Sequence, residues 1–250
     1  MTTSLAVTCL GSGSALAGDR LWSSLLIDDS TLLGLPPTAV PQLHRLRKDL
    51  TAIRRVFISH LHADHVFGLP FLLLHYRYTH DRSQPLYIIG PSGLGAVMEQ
   101  LCHLAWPGLC DRGFPSEDPV QFIEIPEDGS YDAGGFEFDA MQMKHYNMLS
   151  FGFRFKLRDR VVAFTGDTGR CDAILRLADG ADVVITEFTH TTENIGENGG
   201  HFDEADIRWL LDHLPAETRV LASHMSGTPS AEVRSLDRLL LCEDGAQIEL

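Results

Sequence analysis

Apolar residues along this chain fall in short runs that are separated by Gly, Pro, Asp and Ser. Short apolar runs bounded by turn residues predict buried strands, and longer stretches with helical spacing predict helices. The predicted strands are residues 4–10, 23–27, 31–33, 55–59, 86–89, 120–125, 136–144, 151–156, 161–164, 183–186 and 220–223. The predicted helices are residues 38–50, 69–80, 93–106 with Ser92 as the cap, 171–177, 202–214 and 231–241, and residues 107–119 are predicted to be a loop.

The order of these elements predicts the architecture. Two strand-rich regions are each followed by helices, which favours two sheets packed face to face with the helices outside. No change of composition, low-complexity tract or repeat marks a boundary between domains. We therefore expect one α/β domain over residues 1–250.

Charge, hydropathy and cysteine content indicate which partners and which cellular compartment to expect. The chain has 34 Asp and Glu residues against 20 Lys and Arg residues, for a net charge of −14. Proteins that hold a long phosphate backbone present a patch of Lys and Arg, so the acidic balance argues against a large nucleic-acid footprint and leaves only a local basic patch open. No apolar run reaches the length of a membrane span, so no membrane partner is expected. Five widely spaced cysteines without a C-x-x-C pair suit a reducing cytoplasm.

The strongest chemical signal is the motif H-x-H-x-D-H at residues 60–65. Imidazoles and carboxylates are the usual nitrogen and oxygen ligands of a borderline cation such as zinc. A single helix or strand cannot point all four side chains at one ion. A tight loop, however, can give His60 and His62 to one metal and Asp64 and His65 to a second. The motif follows a predicted strand, and α/β folds carry their chemistry at the carboxyl ends of strands.

Three further ligand candidates also lie at the ends of predicted strands. They are His145, Asp167 in a T-G-D-T-G turn, and His224. Each is a weak signal alone, because a strand-end histidine is commonly an ordinary residue and Asp is a common turn former. Together with the H-x-H-x-D-H motif, their shared position predicts that all seven side chains converge on two metal ions.

This order of motifs resembles the metallo-β-lactamase superfamily over nearly the whole chain. The resemblance implies a four-layer αβ/βα sandwich and a dinuclear site that holds two divalent ions. Zinc is the expected metal, with manganese or iron as alternatives, because His and Asp sites accept several ions. By residue match, one metal takes His60, His62 and His145, the other takes Asp64, His65 and His224, and Asp167 bridges them.

Finer features resemble the ribonuclease Z-like group. The opening segment L-G-S-G-S-A at residues 10–15 and the segment S-F-G-F-R after His145 are similar to motifs of that group. In that group a Glu and a His form a proton relay beside the metals, and the matching residues here are Glu187 and His201. The resemblance makes these two residues, with Asp64, the candidate catalytic residues. An ordinary strand-end Glu and a loop His that caps a helix stay open as alternatives.

Two departures from this group bear on function. Ribonuclease Z has a long arm that grips transfer RNA, and no inserted segment here is long enough or basic enough to match it. Members of the group often carry an Asp after the early hairpin strand, near the place where Gly34 stands, which puts a supporting contact to the metal site in question.

The candidate residues support hydrolysis. Two ions about 3.5–4 Å apart can share a hydroxide under a bridging carboxylate and polarise the oxygens of a phosphodiester or ester. His201, oriented by Glu187, can give a proton to the leaving oxygen. We expect a dinuclear hydrolase of the phosphodiesterase type with a small-molecule ester or phosphodiester substrate. The alternatives are an ester, lactone or thioester hydrolase, ribonuclease Z-type processing of transfer RNA 3′ ends, and a non-catalytic metal-binding scaffold. A homodimer is compatible with the resemblance, although no interface can be identified from the sequence.

Overall fold

Two seven-stranded sheets form the centre of the computed structural model, which describes residues 4–79, 84–107, 120–190 and 199–250. The first sheet consists of β1 (Ala6–Gly11), β2 (Ser24–Ile27), β3 (Thr31–Leu33), β4 (Arg55–Phe57), β5 (Leu86–Pro91), β6 (Val120–Ile125) and the last strand, β14 (Gln247–Glu249). The second sheet consists of β7 (Gly129–Asp132), β8 (Glu137–Gln142), β9 (Phe151–Leu157), β10 (Arg160–Phe164), β11 (Val183–Glu187), β12 (Arg219–Ser223) and β13 (Leu239–Leu241).

Each sheet has a parallel half and an antiparallel half. The order of the first sheet is β14-β1-β2-β3-β4-β5-β6, and its neighbours from β3 to β6 are parallel. The order of the second sheet is β13-β12-β11-β10-β9-β8-β7, and its neighbours from β10 to β13 are parallel. Since parallel strands end at the same edge of a sheet, residues that follow β10, β11 and β12 lie side by side.

Helices cover the outer face of each sheet. They are α1 (Ala39–Arg45), α2 (Ala63–Val66), α3 (Leu69–Thr79), α4 (Leu94–Ala105), α5 (Asp172–Leu177), α6 (Glu204–His213) and α7 (Ala231–Arg234), with a 3-10 turn at Leu50–Ala52. Residues of α1, α3 and α4 share a core with the first sheet, and residues of α5, α6 and α7 share a core with the second.

The sheets pack on each other through a third core. In β4, Val56 belongs to the core shared with the helices, whereas the next residue, Phe57, packs between the sheets against Phe138, Phe153 and Phe155. This alternation is the two-residue period of a strand that is buried on both faces. The predicted four-layer sandwich is therefore confirmed. No helix in the described ranges is long and apolar enough to cross a membrane.

The predicted helix over residues 231–241 is wrong in its second half. Helix α7 ends at Arg234, Arg238 takes a positive φ of 70°, and β13 then pairs with β12 in parallel. The pattern of a short apolar run such as Leu239–Leu241 fits either a helix or a strand. Here the run forms a strand because it pairs with β12 at the edge of the second sheet.

Other boundaries also differ from the prediction. The helix predicted over residues 38–50 ends at Arg45, because Arg47 takes a φ of 55° and a separate 3-10 turn follows. Helix α4 is preceded by Gly93 in a left-handed conformation and is not capped by Ser92. The strands β7 and β14 were not predicted, since they are short, polar edge strands without an apolar run. Of the predicted loop over residues 107–119, residues 108–119 lie outside the described ranges.

Candidate metal centre

The ends of several strands bring all seven predicted ligands to one place. His60 follows β4, His145 follows β8, Asp167 follows β10, and His224 directly follows β12. The described residues that form groups able to hold a metal ion include His60, His62, Asp64, His65, His145, Asp167 and His224.

The sequence predicted a loop for the whole H-x-H-x-D-H motif, but only its first part is a loop. His62 has extended backbone and stands at the N-cap of α2, and Asp64 and His65 lie within that single helical turn. The two halves of the motif stay close together, since the ring centroids of His60 and His65 are 4.3 Å apart. The motif can serve two adjacent ions, although half of it is helical.

The first group contains three histidines. His60 Nε2 lies 2.8 Å from His62 Nδ1, and His145 Nε2 lies 3.3 Å from the same His62 atom. His60 and His145 are buried, with 0% and 1% of their surface exposed, and His62 is partly exposed. Three imidazole nitrogens that point at one another surround a space suited to a cation.

The second group contains one carboxylate and two histidines. Asp64 Oδ2 lies 3.4 Å from His65 Nε2 and 3.3 Å from His224 Nε2. Within the described part of the chain, the buried His65 Nε2 has no hydrogen-bond partner, even though this carboxylate oxygen is close. A buried imidazole nitrogen with an unsatisfied lone pair is costly, and coordination of that lone pair to an ion would satisfy it.

Asp167 lies between the two groups. Its Oδ2 atom is 3.3 Å from His65 Nε2, 3.3 Å from His224 Nε2 and 4.0 Å from His60 Nε2. Burial lowers the pKa of His65, but the negative charges of Asp167 and Asp64 close to the ring outweigh burial and raise that pKa to about 10. The two carboxylates thus favour a positive charge at this point.

Burial keeps the histidines of the first group neutral. It lowers the pKa of His60 well below its ordinary value, and it also lowers the pKa of His145. Neutral imidazole is the form that binds a metal. Burial alone raises the pKa of Asp167, but the charges of His224 and His65 outweigh burial and hold that pKa well below the ordinary range. The carboxylate is therefore ionised.

Hydrogen bonds to the outer nitrogens orient two of the imidazoles. His145 Nδ1 donates to the carbonyl oxygen of Gly200 at 2.8 Å, and His60 Nδ1 lies 3.0 Å from Ser59 Oγ. In both rings the Nε2 atom is then directed into the first group. Such contacts fix the tautomer and ring position of metal-binding histidines.

Thr189 connects the second group to the candidate proton relay. Its hydroxyl lies 2.7 Å from His224 Nδ1 and 3.2 Å from His201 Nδ1, and it donates to Glu187 Oε2. Neither this hydroxyl nor the Gly200 carbonyl was identified from the sequence. Thr189 is only two residues from the predicted Glu187, but the contact depends on how the chain folds back after β11.

Glu187 and His201 are in direct contact. Glu187 Oε1 lies 2.7 Å from His201 Nδ1, and the carboxylate also accepts from the backbone N–H groups of Thr168 at 2.8 Å and Thr189 at 3.1 Å. Burial lowers the pKa of His201, but the hydrogen bond and charge of Glu187 raise it overall. His201 also falls into groups that could hold a metal ion, but its Nδ1 atom is already bound to Glu187.

Gly34 lies next to the outer nitrogen of His65. A Cβ atom at this position would lie 3.8 Å from His65 Nδ1 and 3.3 Å from the Ser23 carbonyl oxygen. Gly34 and His65 line a small cavity between the sheets, together with Ser223. The glycine thus lies beside a candidate ligand, and it leaves His65 without the side-chain contact that a carboxylate could make there.

The donor set fits two divalent ions. Imidazoles and carboxylates suit zinc and neighbouring metals, and the unpaired Nε2 atom of His65 between two carboxylates is a place for a cation. Such a centre, with the hydrogen-bonded Glu187–His201 pair beside it, is suited to hydrolysis of a phosphorus or carbonyl ester.

Comparison with known proteins identifies the family. A family model described as Anti-Pycsar protein Apyc1 matches residues 5–225 of this chain. A ribonuclease Z from Staphylococcus saprophyticus subsp. saprophyticus is 35% identical, and the match covers 73% of this chain and 74% of the relative.

Solved structures show the same fold. The metallo-β-lactamase fold protein YhfI from Bacillus subtilis has a TM-score of 0.77 at 17% identity, covering 98% of this chain and 99% of that chain. The short form of human tRNase Z has a TM-score of 0.75 at 24% identity, covering 97% of this chain and 98% of that chain. The chain belongs to the Anti-Pycsar protein Apyc1 family, within the ribonuclease Z-like part of the metallo-β-lactamase superfamily.

Proposed function

We propose that this protein is a dinuclear metal-dependent hydrolase that cleaves small phosphodiesters. The observation that carries the proposal is the convergence of two ligand groups on Asp167, with the Glu187–His201 pair directly beside them. A non-catalytic scaffold needs the ligands but has no use for a proton donor next to them.

In this proposal His60, His62 and His145 would hold the first ion, Asp64, His65 and His224 would hold the second, and Asp167 would serve both. Bound ions would supply Lewis acidity toward the phosphoryl oxygens and would make a water molecule acidic at neutral pH. Zinc suits the donors best, and manganese and iron remain alternatives.

The residues beside the ligands have the chemistry to move a proton. His201 Nδ1–H donates to Glu187, which leaves the Nε2 atom of His201 to carry and release the other proton. Because Glu187 stabilises the imidazolium form, His201 is protonated up to a higher pH than a free imidazole. We assign His201 as the general acid that protonates the leaving oxygen, and Glu187 as the residue that orients it.

Charge favours a small substrate over a nucleic acid. The chain carries a net charge of −14, and a transfer RNA precursor would have to be held by phosphate contacts. Processing of transfer RNA is the first alternative, because one relative of this chain is a ribonuclease Z. Hydrolysis of an ester, lactone or thioester on the same ligands is the second alternative. The matched family is described as anti-Pycsar, and we extend that role to this chain as part of the proposal.

A panel of four substrates tests the proposal. Turnover is measured side by side on a small phosphodiester, a lactone, a thioester and a transfer RNA precursor, with zinc or manganese added. We expect the small phosphodiester to be cleaved best, and the Asp167→Ala variant to cleave none of the four. Efficient, salt-sensitive cleavage of the RNA at its 3′ side would instead establish the ribonuclease function. Metal content without turnover on any substrate would establish the scaffold.

The anti-Pycsar role has a separate test. The wild-type protein is expected to counteract Pycsar, and the Asp167→Ala variant is expected to fail. Equal effects of the two proteins would show that any such role does not depend on the metal centre.

A further inference from the structure

The turn after His145 places an aromatic ring at the edge of the metal centre. Tyr146 and Asn147 form the centre of this turn, which the Met148 N–H closes by donating to the His145 carbonyl oxygen at 2.9 Å. Tyr146 takes a positive φ of 47°. Turns of this kind prefer glycine, asparagine or aspartate where φ is positive. A bulky residue there strains the backbone, and strained residues that lie beside a candidate site are candidates for a functional role.

The ring of Tyr146 lies against the candidate proton donor. Its centroid is 5.2 Å from that of His145 and 5.6 Å from that of His201. It also packs on Gly200, where a Cβ atom would lie 2.5–2.9 Å from three ring atoms, so a glycine is needed for the ring to take this position. The side chain is nevertheless 59% exposed. The ring is thus supported from beneath by the protein and open toward solvent.

We propose that Tyr146 forms a stacking subsite for a planar aromatic or heteroaromatic ring carried by the leaving alcohol of the substrate. The inference rests on the proposed function, because His201 would protonate the leaving oxygen and Tyr146 lies beside His201. Any planar ring can stack on an exposed aromatic side chain, and no specific hydrogen bonds to that ring are required. The subsite therefore specifies a class of phosphodiester, in which the leaving group is planar, without specifying one compound.

Two inhibitors that differ only in the ring test the subsite. Phenyl phosphate and cyclohexyl phosphate have the same charge and nearly the same size, and their inhibition constants are measured on the zinc-loaded protein with a small phosphodiester substrate. We expect phenyl phosphate to bind the wild-type protein about tenfold more tightly, which is the scale of one stacking contact. Tyr146→Phe keeps the ring and should keep this preference. Tyr146→Leu should weaken phenyl phosphate binding about tenfold and leave cyclohexyl phosphate unchanged.

Controls separate binding from a structural role. Tyr78→Leu removes another exposed tyrosine, on α3, and should leave both inhibition constants unchanged. Tyr146→Gly should lose the preference without lowering Tm, because glycine adopts a positive φ without strain. A preference that survives in Tyr146→Leu overturns the subsite, as does equal weakening of both inhibitors with a lower Tm. If the zinc-loaded wild-type protein does not turn over the phosphodiester, the proposed function fails. If it turns the phosphodiester over but neither phosphate inhibits it, the subsite alone is overturned.

Discussion

Glu187 Oε1 lies 2.7 Å from His201 Nδ1, and this pair of a buried carboxylate and a partly buried imidazole stands beside the candidate metal ligands without belonging to either ligand group. Glu187 is held by two backbone N–H groups, so it cannot easily turn away from the imidazole. A carboxylate in this position fixes the tautomer of the histidine and stabilises its protonated form. The pair is therefore arranged for proton transfer more than for metal binding.

Replacement of Glu187 by glutamine should shift the pH dependence of turnover. Burial lowers the pKa of His201, but the hydrogen bond and charge of Glu187 raise it overall. The acid form is needed for catalysis and is lost as pH rises through this raised pKa, so the activity falls on the alkaline side. In Glu187→Gln the pKa of His201 drops, and the alkaline limb of the kcat profile should move to lower pH. Glu249→Gln, on the edge strand β14, is the matched control and should not move it. A shift to higher pH would contradict the assignment.

Replacement of His201 should slow the reaction without removing metal. General acid catalysis typically contributes about 10²–10⁴-fold, so His201→Gln should lower kcat by a factor in this range on an alkyl phosphodiester. A nitrophenolate leaving group needs no proton, and the loss on such a substrate should be much smaller. Metal content, measured by elemental analysis, should stay at the wild-type level, as it should in the exposed control His213→Gln. Equal losses on both substrates would show that His201 acts in some other way.

The parts of the fold that could be predicted are those fixed by local pattern. The strands β4 and β11 are apolar runs bounded by turns, and both were identified, as was the sandwich that they build. The edge strands β7 and β14 were missed because their residues are largely exposed, and only the neighbouring strand holds them in a sheet. The strand β13 was mistaken for helix because an apolar run of three residues carries no period.

The candidate site also has a part that could be predicted from local sequence and a part that could not. The ligands were identifiable because four of them lie within one short motif and the others, such as Asp167, end predicted strands. Their roles in metal binding stay predictions. The supporting groups could not be found from sequence, since the Gly200 carbonyl and the Thr189 hydroxyl reach the site through contacts between segments distant along the chain.

Replacement of Asp167 should remove metal as well as activity. Its Oδ2 atom is close to ligand nitrogens of both groups, so one carboxylate serves both ions in the proposed site. Asp167→Asn keeps the size of the side chain but loses the charge, and elemental analysis should find fewer than the two ions per chain expected for the wild type. Asp212→Asn, an exposed change on α6, is the control and should retain wild-type metal. Two tightly held ions in Asp167→Asn would rule out the bridging role.

A carboxylate introduced at Gly34 should tighten the second ion. A Cβ atom at this position would lie 3.8 Å from His65 Nδ1, within reach of a hydrogen bond from a short acidic side chain. Contacts of this kind orient ligating histidines and are typically worth about 10–100-fold in metal affinity. Aspartate also tolerates the positive φ of 70° at residue 34 better than most residues.

The comparison of Gly34→Asp with Gly34→Ala isolates this effect. Both variants strain the backbone and bring a Cβ atom to 3.3 Å from the Ser23 carbonyl oxygen, so both should lower Tm relative to the wild type. Only aspartate adds an acceptor for His65 Nδ1, so metal loss to a chelator should be slower in Gly34→Asp than in Gly34→Ala. If the two variants lose metal at the same rate, the glycine does not weaken the site through a missing contact to His65.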